Sequence, residues 1–351
     1  MRRYNNLYEK IYNIDNIRLA HKNARKGKKH YSEVNMVDNN PEYYFQQVYD
    51  MLKNKTFKNS KYYIFKLMDN GKEREIFKLP YFPDRIIHHC IMQILEPIWK
   101  KTLIRDTYSS IKGRGLHDGV RRIKKALKDK QGTKYCMKLD IKKFYPSINH
   151  EVLKQIIHHK IKCQNTLWLL DEIIDSTCGV PIGNYLSQYF GNIYLSGLDH
   201  FIKEKYQIKY YFRYCDDIVI LSESKTKLWE VLYAIKNYCK LLILSIKENY
   251  QIFPTNIRGV DFLGYRFFHD FTLLRKSIAI RFKNKIKNIK KNHYEMSKTN
   301  IINGIMSYYG WTKHGDCKQL FDKYIDTNIQ NIMENNCFSL KQKNPLKEIL
   351  I

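Results

Sequence analysis

One stretch limits the chain more than any other: Tyr211–Leu221, reading Tyr-Phe-Arg-Tyr-Cys-Asp-Asp-Ile-Val-Ile-Leu. Two adjacent carboxylates, Asp216 and Asp217, interrupt two runs of aromatic and β-branched residues. Such runs favour strands, and a polar pair between them predicts a β-hairpin with the acids at its turn. Acidic oxygens presented on a rigid turn suit Mg²⁺, a hard cation that prefers oxygen ligands. A solvated Asp-Asp turn satisfies the same pattern, so other parts of the chain must decide.

The 351 residues carry a formal net charge of +28, which points to a polyanionic partner, most simply nucleic acid. A membrane surface would attract the same charge. However, no apolar run reaches spanning length, and residues 1–40 are too polar for a signal peptide. No two of the eight cysteines form a Cys-x-x-Cys, which argues against a structural zinc site. A large basic chain of this kind is expected in the cytoplasm.

In chain order, His21–His30 is a basic cluster expected to be a loop, and Pro41–Asn54 has helical spacing through Tyr44, Val48, Met51 and Leu52. Tyr62–Leu79 reads as a hairpin turning at Asp69-Asn70-Gly71. Asp84 is placed to cap the helix after it. Ser109–Gly119 is a basic loop leading into Leu116–Leu127, whose exposed face is expected to hold Arg121, Arg122, Lys124 and Lys125. Tyr135–Leu139 is a strand ending on Asp140, and Asn149 is a natural N-cap. Asn184 opens a long predicted helix running towards Lys205. Val260–Phe267 reads as one strand, with Gly264 where another backbone approaches. Three helices follow: Ser277–His293, one through Ile301 and Ile305, and one through Leu320, Ile325 and Ile332.

Asp140 at a strand end and Asp216–Asp217 at a hairpin turn can converge on a site for two metal ions, as nucleotidyl transfer requires. At this point the chain resembles a known family. Leu139-Asp140-Ile141-Lys142-Lys143-Phe144-Tyr145, Ile182-Gly183-Asn184-Tyr185-Leu186-Ser187-Gln188, Tyr214-Cys215-Asp216-Asp217 and Phe262-Leu263-Gly264-Tyr265 follow the motif order of reverse transcriptases. Arg74, Pro80, Asp84-Arg85 and Lys112-Gly113-Arg114-Gly115 resemble the upstream motifs of the bacterial, group II intron-like branch.

The resemblance implies an α+β right-hand polymerase with fingers, a palm sheet and a helical thumb. It divides the chain into an N-terminal extension (1–40), fingers (41–135, with a helical insertion at 150–180), palm (136–149 and 181–270) and thumb (271–351). Asp140 and Asp216 would be the principal ligands of two Mg²⁺ ions, with Mn²⁺ able to substitute. Asp217 would be a supporting acid or a hydrogen-bond anchor of the hairpin, and Ile141 would offer its carbonyl. Tyr145 would be the gate under the sugar of the incoming deoxynucleotide, beside Phe144. Arg74, assisted by Lys66, would hold the triphosphate, and Ile182, Gly183 and Gln188 would lie beside the nascent pair. Phe262, Leu263, Gly264 and Tyr265 would form the primer grip. Lys112, Arg114, Arg121, Arg122, Lys285, Lys287, Lys290 and Lys291 would track template RNA and cDNA. Reverse transcriptases often place a lysine after the palm helix as proton donor to pyrophosphate; here that stretch reads Leu244-Ser245-Ile246-Lys247, and the role of Lys247 stays open.

Most of the family has Gln before the motif glycine and Pro after its serine, where this chain has Ile182 and Gln188. That pattern is similar to reverse transcriptases of diversity-generating retroelements, which copy template RNA inaccurately at adenines with a basic accessory variability determinant protein. Two alternatives stay open. One is another bacterial reverse transcriptase of retron, group II-like or phage-defence type. The other is a non-catalytic RNA-binding protein with a relict polymerase fold.

Overall fold

Apolar residues at helical spacing build four helices before the first strand: α1 (Tyr8–Tyr12), α2 (Ile14–Ala24), α3 (Ser32–Asn39) and α4 (Pro41–Lys53). The computed structural model describes residues 3–69, 71–325 and 329, so Asn70 and Ile332 lie outside the described residues. Leu7, Ile11, Ile17, Ala20, Val34 and Val37 are buried in the same core as the later strands. The basic cluster is therefore helical at its start: His21 and Ala24 are buried on α2, and His21 Nε2 lies 2.8 Å from Asp38.

A two-stranded ribbon follows, β1 (Tyr63–Asp69) against β2 (Lys72–Lys78). Asp84 does not cap α5 (Ile86–Lys100). It is buried, and its carboxylate accepts the Ser60 N–H at 2.9 Å. Next come α6 (Leu116–Leu127), β3 (Tyr135–Asp140), α7 (His150–Lys160) and α8 (Gln164–Ile174). Asn149 caps α7 as expected, its side chain accepting from Val152 N at 3.1 Å. The predicted long helix is broken into α9 (Ser187–Tyr194), α10 (Ser196–His200) and a π-turn at Phe201–Lys205.

Strands β4 (Tyr210–Tyr214) and β5 (Asp217–Ser222) form the central hairpin, and β5 lies between β4 and β3, antiparallel to both. Leu139, Ile218 and Ile220 of this sheet are buried, as are Leu228, Val231 and Ile235 of α11 (Lys225–Leu241). Burying each such side chain contributes about 1.5–3 kcal/mol.

Described residues fall into two compact units. The first takes the described residues within 1–119 and 135–252; the second takes those within 120–134 and 253–351. Strand β6 (Gln251–Pro254) and α12 (Thr255–Arg258) lead into a three-stranded meander, β7 (Val260–Phe262), β8 (Tyr265–Phe267) and β9 (Thr272–Leu274). The expected single strand is thus a hairpin. Leu263 (φ 51°) and Gly264 (φ 83°) are both left-handed and make a two-residue turn, with Phe262 paired to Tyr265. A Cβ on Gly264 would lie 2.5 Å from the Trp311 ring, so a side chain, not another backbone, is what approaches there.

Helices α13 (Lys276–Asn292), α14 (Lys298–Thr312) and α15 (Lys318–Tyr324) complete the second unit. Ile278, Phe282, Ile286 and Ile289 make the buried stripe of α13. No helix among the described residues is long and apolar enough to cross a membrane.

Candidate active site

The sheet register assembles the acids. Asp140 ends β3 directly opposite Asp217, the first residue of β5. Tyr214 pairs with Asp217, which leaves Cys215 and Asp216 as the two central residues of the turn. Cys215 takes a left-handed φ of 54°. A side chain there costs on the order of 1 kcal/mol and needs surrounding contacts to hold it.

Asp216 and Asp140 lie against each other. Burial first, and the Asp140 charge second, push the Asp216 carboxyl up to about 6. Asp140 Oδ1 is buried and receives no hydrogen bond, while Oδ2 pairs with Lys247 Nζ at 2.7 Å. The Lys247 amide also donates to the Asp140 carbonyl at 2.9 Å. Two adjacent carboxyls, one of them with a buried oxygen lacking any donor, are a donor set that fits a divalent cation. Among the described residues no group of three or more His, Cys, Asp and Glu side chains is gathered for a metal. Asp217 lies 3.6 Å from Lys138 Nζ. Ile141 is buried and bridges Ile246, but that bridge's hydrogen bonds run through Asp140 O and Lys142 N, leaving the Ile141 carbonyl out of them.

Behind the turn stands an ion pair that the sequence reading did not anticipate. Arg213 and Asp199 are both fully buried. Arg213 Nε and Nη2 donate to Asp199 at 2.8 and 2.6 Å, Nη1 donates to Asn192 Oδ1 at 3.2 Å, and Nη2 also donates to Asn192 O at 3.3 Å. Nη1 further donates to the Cys215 carbonyl at 3.0 Å, tying the pair to the Cys215–Asp216 turn. Tyr211 and Thr107 hydroxyls complete the Asp199 carboxylate at 2.5 and 3.3 Å. A buried pair holds only when its donors and acceptors are met in this way.

Tyr145 is half-buried beside buried Phe144, with ring centres 5.2 Å apart, and its hydroxyl lies 3.7 Å from Cys215 Sγ. Lys66 and Arg74 are not brought together. Lys66 opposes Glu75 and Arg74 opposes Leu67, so the two project from opposite faces of the ribbon. Lys66 is engaged by Glu73 at 2.8 Å. The Ile182 carbonyl accepts Phe77 N–H at 2.8 Å. Gly183 has φ 114°, and a Cβ there would lie 2.7 Å from the Phe77 carbonyl oxygen, so the glycine admits strand β2. The Gln188 amide oxygen accepts from Ser110 Oγ. Gly183 also borders a cavity of 540 Å³ with Lys28, Lys78, Arg85 and His88.

Of the basic residues in the first unit, Lys112 is exposed, and half-buried Arg114 donates to the Ile104 carbonyl at 2.6 Å. In the second unit Arg121, Lys125, Lys287 and Lys291 are exposed, while Arg122, Lys124, Lys285 and Lys290 are half-buried. Lys124 departs from the expected exposed face by donating to the His314 carbonyl at 3.1 Å. Phe262 and Tyr265 are core residues, and the Tyr265 hydroxyl donates to the Trp311 carbonyl at 2.8 Å.

An antiparallel sheet that presents two carboxyls on a strand end and an adjoining turn, flanked by helices, defines the α+β palm type of nucleotidyl-transfer protein. Residues 56–267, more than half of the chain, match the reverse transcriptase (RNA-dependent DNA polymerase) family, and the chain belongs to that family. It is 25% identical over 150 residues to Protein YkfC of Escherichia coli strain K12, covering 39% of each chain. It is 26% identical over 144 residues to the group II intron-encoded protein LtrA of Lactococcus lactis subsp. cremoris, covering 38% of this chain and 24% of LtrA. The matched segments thus span about a quarter to two fifths of these curated relatives. Among solved structures, apo telomerase from Candida tropicalis superposes with a TM-score of 0.50 at 13% identity, covering 84% of this chain and 69% of that one. That similarity bears out the right-hand polymerase fold.

Proposed function

We propose that this protein is an RNA-directed DNA polymerase that extends a DNA strand on template RNA with deoxynucleoside triphosphates. The observation that carries the reading is the sheet register that sets Asp140 beside the Asp216 turn, where the Asp140 charge adds to burial in pushing the Asp216 carboxyl up. Asp140, Asp216 and the Ile141 carbonyl are the groups that would hold two divalent cations, Mg²⁺ by preference with Mn²⁺ as substitute. Bound there, such ions supply an activated 3′-hydroxyl and charge neutralisation for the leaving pyrophosphate. Lys247 offsets the Asp140 charge at 2.7 Å, and Lys138 steadies Asp217 as an anchor of the hairpin. Tyr145 sits under the nucleotide sugar, and Arg74 binds the triphosphate from its face of the ribbon. In this reading β1–β2 belongs to the fingers, the β3–β5 sheet to the palm, the Leu263–Gly264 turn to the primer grip and α13–α15 to the thumb.

Within the family we assign the chain to the diversity-generating retroelements, as a cytoplasmic enzyme making adenine-mutagenic cDNA with a basic accessory variability determinant protein. Ile182-Gly183 followed by Ser187-Gln188 supports this. The similarity to LtrA supports a second reading, a group II-like enzyme of another kind. Primer extension on a template-repeat RNA tests both. Adenine-directed errors support the retroelement reading, and errors spread evenly over the four bases support the other. No extension under any divalent metal refutes the polymerase reading itself.

A further inference from the structure

Cys215 occupies the turn beside Asp216, and its thiol stands between two hydroxyls. The thiol donates to Ser109 Oγ at 2.8 Å, and the Tyr145 hydroxyl donates to Cys215 Sγ at 3.7 Å. Ser109 and Cys215 itself are both fixed from behind. The Ser109 carbonyl accepts from Asn192 Nδ2 at 2.8 Å, and the Cys215 carbonyl accepts from Arg213 at 3.0 Å. One edge of the Tyr145 ring, beside its hydroxyl, packs against the helix backbone, since a Cβ built on Gly191 would lie 3.1 Å from its Cε1. A ring seated on a glycine at one edge and tethered at its hydroxyl has a single orientation.

We propose that Cys215 is a positioning residue for sugar selection: its sulfur holds the Tyr145 hydroxyl and so sets the ring plane that excludes a 2′-hydroxyl. The inference rests on the reading of Tyr145 as the gate. It adds that the gate is tethered to the turn that carries Asp216, so that selection and metal binding share one rigid element. Sulfur is a weak acceptor, and the tether therefore adjusts selectivity rather than creating it.

The test is the ratio of ribonucleotide to deoxynucleotide incorporation in primer extension, with unfolding midpoints as the folding control. Cys215→Ala and Tyr145→Phe each remove one side of a single contact and raise the ratio by about threefold to tenfold. Because they remove the same contact, the double variant rises no further than either alone. Cys215→Ser restores an acceptor and keeps the wild-type ratio. Tyr145→Ala removes the ring and exceeds all of them. If Tyr145→Ala shifts the ratio while Cys215→Ala does not, the gate stands and the tether is refuted. If Tyr145→Ala itself leaves the ratio unchanged, the gate reading falls and the inference falls with it.

Discussion

Replacing Asp199 by Asn tests whether the buried ion pair holds the Cys215–Asp216 turn. The substitution keeps shape but removes charge from a carboxylate that takes two bonds from Arg213 and one each from Tyr211 and Thr107. An amide also turns one acceptor into a donor, which then faces a guanidinium. With both groups at zero exposure, stranding the Arg213 charge costs about 3–5 kcal/mol of folding stability. The double variant Asp199→Leu with Arg213→Met removes both charges. Only neutral orphans remain: the hydroxyls of Tyr211 and Thr107, Asn192, and the Cys215 carbonyl. It should therefore recover at least about half of the loss. Urea denaturation of the two single variants and the double variant gives the coupling directly. Activity should not recover with stability, because the 3.0 Å anchor on the Cys215 carbonyl is still missing. Primer extension by the double variant should stay at least about tenfold low, the effect of a loosened turn on placed ligands. A double variant no more stable than the singles would refute the ion-pair account. One with wild-type extension would refute the anchor.

Stability should fall in mild acid. His88 and His89 are buried and stay neutral down to about 3 and 4, because burial disfavours their charged form. The unfolded chain takes these protons below its ordinary histidine pKa, so stability is full above that value and is lost as pH falls. Unfolding free energies from urea titrations at about pH 7.5 and about pH 5.5 should differ by about 2–3 kcal/mol, and His88→Met should halve the difference. An unchanged difference in that variant contradicts the assignment. Reversing Lys285, Lys287, Lys290 and Lys291 to Glu should weaken RNA binding and reduce the logarithmic salt slope by about 3. A salt-independent wild-type affinity contradicts it. Ile182→Gln should lower errors opposite template adenine by about tenfold relative to other bases. Equal error spectra in sequenced cDNA contradict it.

The acids were legible because strand patterns on both sides fix their direction, and antiparallel register then brings Asp140 to the β4–β5 turn. The partnership of Arg213 with Asp199 was not legible. A charged residue inside the run Tyr210–Tyr214 signals a buried partner, but nothing in the sequence says which acid reaches it. Lys247 was hard to place for a similar reason: Leu244–Ile246 reaches Asp140 through one isolated bridge at Ile141 and Ile246. The opposite faces of Lys66 and Arg74 were available in principle, since a turn at Asp69–Gly71 already fixes the alternation of both strands. The helices of residues 8–39 were also available. Ile11, Ile17, Ala20 and Val34 are spaced for burial, but the surrounding lysines and asparagines masked them. The Leu263–Gly264 turn lacks the Asn or Asp that usually announces a left-handed pair, so the strand looked continuous.

The most direct test of the account is single-turnover primer extension on an RNA template by the wild-type chain and by Asp216→Asn, each with Mg²⁺ and with EDTA. Wild type should extend the primer only with the metal. Asp216→Asn should be slower by about a thousandfold or more while binding the template RNA as tightly. Extension by the wild type in EDTA, or by Asp216→Asn at the wild-type rate, would contradict the claim that Asp140 and Asp216 are the metal-holding acids of a reverse transcriptase.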